Sequence, residues 1–232
     1  MPMNKRTIIL IQTVLLWAGS LAACYAQSAE ILQWEPDIRN FEHLDSMETY
    51  SGQAILFAGS SSIRLWSTLA QDMAPFEVIQ RGYGGARLSD LVYYAERIIY
   101  PHPCRAIVLF VANDIVGNSQ DKSPAEVASL VKELFGIIRR RMPEVPVFYI
   151  ATTPTPSRWE AWPKIREANR LISDLCNEEG NAYFIETEQE YLDKNGQPMP
   201  ELFREDRLHM NADGYRIWTG IIRSAFWKGF GN

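Results

Sequence analysis

The stretch "RAIVLFVAND", residues 105–114, is the strongest indication of the fold in this sequence. Its apolar residues run without a break and do not alternate with polar ones, which is typical of a strand buried on both faces of a sheet. The run closes with Asn113 and Asp114, which would lie where the strand ends. A strand of this kind predicts a parallel sheet that is covered by helices on both sides.

Four further apolar segments have the length and composition of buried strands. They are "QAILFAG" (53–59), "FEVIQRG" (76–82), "VPVFYIAT" (145–152) and "AYFIE" (182–186). Helical patterns are found at 36–48, 123–142, 164–179 and 212–227. Strands that alternate with helices predict an α/β domain, a three-layer α/β/α sandwich around a five-stranded parallel sheet.

Polar residues collect at one predicted edge of this sheet. "GSSS" (59–62), "RGYGGARLSD" (81–90) and "AND" (112–114) follow strands, and "DRLH" (206–209) precedes the last helix. In parallel α/β sheets the functional site lies beyond the carboxyl ends of the strands. These segments could supply a nucleophile, a base, an orienting carboxylate and oxyanion donors, which is the set that a hydrolase needs.

The candidate base is His209, because the other two histidines are less well placed. His43 belongs to the first helical segment, and His102 lies between two prolines before the third strand, at the opposite edge of the sheet. Asp206 precedes His209 by three residues, so on a turn it can hold one imidazole nitrogen and stabilise the imidazolium. The alternatives are that His209 only directs the chain into the helix and that Asp206 is a surface charge.

In this order the motifs resemble the SGNH (GDSL-type) hydrolases, and most closely the branch similar to platelet-activating-factor acetylhydrolase. The four family blocks match "FAGSSSIRLW" (57–66), "RGYGGARLSD" (81–90), "VANDI" (111–115) and "DRLHMNADGY" (206–215). The similarity extends from about Trp34 to Trp227, which is nearly the whole domain.

The resemblance implies a flavodoxin-like fold and ester hydrolysis that uses neither a metal nor a cofactor. It implies that Ser61 attacks the acyl carbon with His209 as base. It also implies that the oxyanion is stabilised by the backbone amides of Ser61 and Gly85 and by the side-chain amide of Asn113. Val111 stands two residues before Asn113, where the family usually has glycine.

Two residues after the fourth strand are candidates for substrate binding. Arg158 and Trp159, in "TPTPSRWEAWP" (153–163), should reach the same edge of the sheet. We predict that they line the pocket for the acyl or the leaving group. The alternative is that Trp159 and Trp162 pack this loop onto the next helix.

The beginning of the chain predicts export. In "MPMNKRTIILIQTVLLWAGSLAACYAQ" (1–27), two basic residues precede a long uncharged apolar run. This pattern predicts an export signal over 1–26 and a single domain over 27–232. Cleavage after "CYA" would release a periplasmic or secreted protein. "LAAC" instead resembles a lipobox, in which lipidation of Cys24 would tether the protein to a membrane at the cell envelope.

Charge and cysteine content narrow the function classes. The net charge of −5 and the absence of any basic run longer than "RRR" (139–141) argue against a nucleic-acid partner. Cys104 and Cys176 are the cysteines of the mature domain, either free buried thiols or a disulfide. Without a CxxC motif or a Cys/His cluster, a thiolate metal site is not expected.

The expected function is therefore that of an exported esterase acting on small acyl esters, such as acetylated glycans. The glycan substrate follows from export and from the family's known activities. A lipase or lysophospholipase-type acylhydrolase is the enzymatic alternative. A catalytically silent surface binding protein with the same fold is an alternative from another class.

Overall fold

The computed structural model describes residues 30–230. Asp37–Asn232 form a compact unit, which contains the whole sheet. The predicted export signal, including Cys24, lies outside the described residues, and so does the start of the predicted domain. None of the helices in the described region combines the length and apolar character needed to cross a membrane.

The sheet has five parallel strands in the order β2-β1-β3-β4-β5, so their carboxyl ends share one edge. The strands are β1 (Ile55–Gly59), β2 (Val78–Gly82), β3 (Ala106–Phe110), β4 (Val147–Ile150) and β5 (Ala182–Ile185). Every residue of β1 and β3 is buried, as expected for the central strands of a covered sheet. The predicted fold class and all five predicted strands are confirmed.

Helices cover both faces of the sheet. The longer ones are α1 (Glu35–Met47), α4 (Leu88–Ile99), α5 (Pro124–Arg141), α6 (Trp162–Glu178) and α8 (Ala212–Phe230). The short ones are α2 (Ser61–Arg64), α3 (Leu69–Asp72) and α7 (Glu188–Tyr191). Helices α4, α5 and α6 pack side by side, whereas α8 packs with Phe57, Val108 and Phe148 on the other side.

Two helices begin where their capping residues predict. Helix α5 starts with a capping box, in which the Ser123 backbone amide donates to the Glu126 carboxylate over 2.7 Å and the Glu126 amide donates back to Ser123 Oγ over 3.3 Å. Helix α8 starts after Asn211, whose Oδ1 accepts from the amides of Asp213 and Gly214. This cap fixes the chain directly after His209.

Helix α4 was not predicted, since its amino end lies within the glycine-rich segment "RGYGGARLSD". The Asp90 carboxylate accepts from the Arg87 amide at 2.8 Å. The amide of Leu88 donates to Asp114 Oδ2 at 2.9 Å, which ties the start of this helix to the loop after β3. The bond to Asp114 forms only in the folded chain, so no pattern in the local sequence indicates it.

Aromatic side chains form the core beneath the carboxyl edge of the sheet. The rings of Trp66 and Tyr215 stack at 5.2 Å, and Phe110 meets Trp218 edge-on at 4.7 Å. Tyr215 and Trp218 also donate hydrogen bonds to groups near this edge. The Tyr215 hydroxyl donates to the Ser62 carbonyl over 2.9 Å, and Trp218 Nε1 donates to Thr153 Oγ1 over 3.1 Å.

A buried polar cluster joins α1, β2 and the turn before β3. The guanidinium of Arg81, which is 2% exposed, forms an ion pair with Asp45 of α1. His102 Nε2 lies 3.5 Å from the same Asp45 carboxylate. Burial lowers the pKa of His102, and the charge of Arg81 acts in the same direction against the attraction of Asp45.

Both described cysteines are free, buried thiols. Cys104 lies in the turn before β3 and Cys176 lies in α6. Burial raises the pKa of Cys104 to about 11 and that of Cys176 to about 12. The structure therefore agrees with two free thiols and not with a disulfide between these cysteines.

Candidate active site

The turn between β1 and α2 places Ser61 at the carboxyl edge of the sheet. Gly59 ends β1 with φ 146°, and a Cβ at this position would lie 1.9 Å from the carbonyl oxygen of Phe110. The same oxygen accepts from the Ser60 amide at 2.9 Å. Glycine therefore lets the chain turn closely over β3, with Ser61 as the first residue of the next helix.

Ser61, His209 and Asp206 form a continuous hydrogen-bonded chain. His209 Nε2 lies 3.0 Å from Ser61 Oγ, although 148 residues separate them in the sequence. His209 Nδ1 lies 2.7 Å from Asp206 Oδ2. The imidazole is thus within reach of the serine proton on one side and held by a carboxylate on the other.

The loop that carries Asp206 and His209 is closed by its own backbone. Asp206 Oδ1 accepts from the amides of Leu208 and His209, each at 2.9 Å. The Arg204 amide donates to the His209 carbonyl over 2.8 Å, and Phe203 and Met210 form an antiparallel bridge. The loop therefore presents its carboxylate and its imidazole in a fixed relation.

Asp206 remains ionised although it is partly withdrawn from water. This desolvation acts to raise its pKa, but the bonds from the His209 ring and from the amides of His209 and Leu208 outweigh it and bring the pKa to about 2. The side chain of Asp206 is 47% exposed and that of His209 is 22% exposed. The carboxylate therefore faces the His209 ring in its charged form.

Gly85 lies in the loop between β2 and α4, next to the serine turn. The Tyr83 amide donates to the Gly59 carbonyl over 3.0 Å, and the Ala86 carbonyl accepts from Asn113 Nδ2 at 2.9 Å. These two bonds fix the chain on both sides of Gly85. The residue itself has φ 65°, a conformation that favours glycine, and it is exposed.

Asn113 projects from the loop after β3 and is held at both ends of its carboxamide. Its Oδ1 accepts from the Arg158 guanidinium at 2.8 Å, opposite the bond from Nδ2 to Ala86. A second guanidinium nitrogen donates to the Ala112 carbonyl. Val111 lines a small cavity with Val127 of α5 and Ile165 of α6, on the helical side of this loop.

A small cleft contains most of the predicted site residues. Ser61, Asn113, Arg158 and His209 line it. Its remaining walls are Ser60, Ser62, Phe110, Ala112, Thr152, Thr153, Thr155, Phe203, Leu208 and Met210. The threonines were not singled out from the sequence, although their position directly after β4, at the same edge as the serine turn, is a signal that could have found them.

Trp159 has a different environment from Arg158. Its ring stacks on that of Trp162, the first residue of α6, with centroids 5.9 Å apart. This contact agrees with the alternative interpretation of the sequence, in which Trp159 and Trp162 pack the loop onto the helix.

A larger groove lies along β5, between α6 and α8, and its described lining contains no predicted site residue. Within residues 30–230, no three His, Cys, Asp or Glu side chains are grouped to hold a metal ion.

The fold and this arrangement of residues indicate a hydrolase. Residues 48–217 match the sequence profile of the GDSL-like lipase/acylhydrolase family, so the chain belongs to that family. The family prediction made from the four sequence blocks is confirmed. A comparison with curated proteins found no match.

Solved structures share the fold at low sequence identity. A protein from Streptococcus pneumonia, provisionally named after platelet activating factor, has a TM-score of 0.73 at 17% identity, over 96% of this chain and 99% of its own. A GDSL-like lipase from Bacteroides thetaiotaomicron has a TM-score of 0.67 at 13% identity, over 82% and 97%. An acetyl xylan esterase from Geobacillus stearothermophilus has a TM-score of 0.58 at 16% identity, over 78% and 95%.

Proposed function

We propose that this protein is an exported serine esterase that removes small acyl groups, acetyl above all, through a covalent acyl-serine intermediate. The observation that carries the proposal is the hydrogen-bonded chain from Ser61 through His209 to Asp206, with contacts of 3.0 and 2.7 Å. The substrates are esters, of which acetylated glycans are the class we favour.

In the first half of the reaction, Ser61 Oγ attacks the carbonyl carbon of the ester while His209 Nε2 takes the serine proton. The negative charge on the carbonyl oxygen is stabilised by the amides of Ser61 and Gly85 and by Asn113 Nδ2. The intermediate then expels the alcohol, which receives its proton from the imidazolium of His209. Asp206 stays ionised throughout and stabilises that imidazolium.

In the second half, His209 takes a proton from a water molecule, and the resulting hydroxide attacks the acyl-serine. The same donors stabilise the second oxyanion. Collapse of this intermediate breaks the bond to Ser61 Oγ, which recovers its proton from His209. The carboxylic acid leaves, and the site returns to its starting state.

The walls of the cleft support a small acyl group. The large apolar residues that line the cleft are Phe110, Phe203, Leu208 and Met210, and the space that the cleft encloses is small. The larger groove lies along β5, away from the cleft, so it does not extend the acyl pocket. One of the structural neighbours is an acetyl xylan esterase, which is consistent with a glycan substrate.

The first test uses Ser61→Ala, with Ser67→Ala as the matched control, because Ser67 is an exposed serine on the same segment. The control should keep wild-type turnover of p-nitrophenyl acetate, whereas Ser61→Ala should lose it without a change in thermal stability. A fluorophosphonate probe should label the wild type and not Ser61→Ala. Full turnover of the ester by Ser61→Ala would refute the nucleophile assignment. If the wild type neither hydrolyses the ester nor is labelled by the probe, the alternative of a catalytically silent binding protein is favoured.

A series of p-nitrophenyl esters tests the acyl preference. We expect kcat/KM to fall steadily from acetate to longer chains, and acetylated xylo-oligosaccharides to release acetate. Rising kcat/KM with chain length would favour the lipase-type alternative. Export is tested separately by cell fractionation, in which Cys24→Ser should change the membrane-bound share only if Cys24 is lipidated.

A further inference from the structure

We propose that Arg158 is a positioning residue, which fixes the carboxamide of Asn113 in the orientation that directs an N–H into the oxyanion hole. This inference rests on the proposed function, because Asn113 is one of the donors of that reaction. The sequence predicted Arg158 as a substrate contact, and the geometry gives it a different partner.

The carboxamide of Asn113 lies between two groups that select the same orientation. A guanidinium can only donate hydrogen bonds and a carbonyl oxygen can only accept them. Arg158 faces Oδ1 at 2.8 Å, and the carbonyl of Ala86 faces Nδ2 at 2.9 Å. Rotation of the amide by half a turn would place Nδ2 against the guanidinium and Oδ1 against the carbonyl of Ala86, so both bonds would become repulsive.

This orientation leaves one proton of Nδ2 for the reaction. The amide nitrogen carries two protons, and the carbonyl of Ala86 takes one of them. Asn113 lines the cleft together with Ser61 and His209, where the oxyanion forms. Because Ala86 follows Gly85 in the chain, the same bond also ties the second donor to the third.

Arg158 is itself anchored by the elements around the cleft. It belongs to the 3₁₀ turn Pro156–Ala161, and its guanidinium also donates to the carbonyl of Ala112. The amide of the preceding residue, Ser157, donates to the carbonyl of Arg207 over 3.1 Å, in the loop that carries the base. The guanidinium is therefore bound to the loop after β3, while the backbone of the turn that carries Arg158 is bound to the His209 loop.

The guanidinium keeps its charge in this environment. Burial lowers the pKa of Arg158 to about 10, against the attraction of Asp121 and Asp114, which leaves it protonated at neutral pH. A bond from a charged donor is stronger than one between neutral groups. It also draws electron density toward Oδ1, which makes the N–H of Asn113 a better donor to a developing negative charge.

The test compares Arg158→Met, which keeps the length of the side chain but removes its donors, with Asn113→Ala and with the double variant. Losing an oxyanion donor lowers kcat by about 10²–10³. We expect Arg158→Met to lower kcat for p-nitrophenyl acetate by roughly 10-fold or more, with KM changed by less than about 3-fold, since the bond acts on the transition state. The double variant should be within about 3-fold of Asn113→Ala, because Arg158 acts through Asn113.

Two controls separate positioning from general support of the fold. Arg139→Met removes another partly buried arginine, which donates to the carbonyls of Val145 and Asn181 at the opposite edge of the sheet. It should lower the unfolding temperature and leave kcat unchanged. In Arg158→Gly, guanidinium ion at concentrations well below those that unfold the protein should restore part of the lost kcat.

Four outcomes would overturn the inference, and the last of them would also overturn the proposed function. If the losses from Arg158→Met and Asn113→Ala multiply in the double variant, Arg158 acts independently of Asn113. If KM rises while kcat is kept, Arg158 binds substrate, as the sequence predicted. If Arg158→Met keeps both constants while Ser61→Ala abolishes hydrolysis, the proposed function stands and only the positioning role fails. A wild type without Ser61-dependent hydrolysis overturns the two proposals together.

Discussion

Replacement of Gly59 by alanine should impair catalysis although Gly59 touches no substrate. The new Cβ would lie 1.9 Å from the carbonyl oxygen of Phe110, whereas such contacts are essentially never shorter than 3.0 Å, so the two strands must separate by about 1.1 Å. The carbonyl of Phe110 accepts from the Ser60 amide, and this bond holds the turn in place. The movement therefore separates Ser61, next to the turn, from Asn113, three residues beyond Phe110.

The size of the effect follows from this displacement. A misplacement of about 1 Å in a catalytic group can cost about 10²-fold in rate, and we expect a loss in kcat of that order. The backbone conformation, with φ 146°, adds a strain of roughly 1–3 kcal/mol for a residue with a side chain. For a domain of this size, each kcal/mol lowers the unfolding temperature by about 2–4 °C.

The assay is turnover of p-nitrophenyl acetate at a temperature where circular dichroism shows the variant to be folded. Gly52→Ala is the matched control, because a Cβ at Gly52 meets nothing within 4 Å. The control should keep both kcat and stability. A Gly59→Ala protein with kcat within about 3-fold of the wild type would refute the link between the strand contact and the site.

Three further predictions follow from the ionisable groups. Asp206 has a pKa of about 2, against 3.8 unperturbed, so it stabilises the fold above about pH 4 and loses that contribution as the pH falls toward 2. Asp206→Asn should lose this pH dependence in acid unfolding and should lower kcat by roughly 10²-fold or more at every pH. A variant that only shifts the acid side of the pH–rate profile would contradict the role of Asp206. Burial lowers the pKa of His102 from 6.5, so neutral His102 stabilises the fold above that pH, and this contribution is lost as the pH falls below it. The wild type should therefore lose more stability between about pH 7.5 and 5.5 than His102→Asn does, and both proteins should retain activity. In protein without residues 1–26, Cys104 and Cys176 should resist a thiol reagent when folded, and both should react after unfolding without reductant; no reaction after unfolding would indicate a disulfide.

The sequence carries enough information for the sheet and for the hydrogen-bonded triad. Continuous apolar runs such as 105–114 are determined by burial alone, and the edge of a parallel sheet then collects whatever polar residues follow them. Three histidines left few candidates for the base, and spacing placed Asp206 beside His209. The sheet, the base and its carboxylate needed only periodicity, spacing and topology, whereas the choice of Ser61 among three consecutive serines came from the resemblance to the SGNH hydrolases.

The remaining features depend on contacts between distant parts of the chain. The start of helix α4 is bound to Asp114, 26 residues away, which no local pattern shows, although the helix itself has a readable apolar stripe through Leu91 and Ile98. The partner of Arg158 is Asn113, 45 residues earlier, and the sequence predicted only that both reach the same edge. Val111, which stands where the family usually has glycine, is buried and lines the small cavity with Val127, and it is not among the residues that line the cleft.

Helix α8 follows all five strands along the chain, and this order of elements has a consequence for synthesis. Its residues Tyr215 and Trp218 hold Ser62 and Thr153 on two sides of the cleft, and His209 enters only just before it. A nascent or truncated chain that stops before His209 has the nucleophile but lacks both its proton acceptor and the aromatic side chains of α8. Activity therefore arises only once the chain has been made beyond His209 and this late segment has folded against the serine turn.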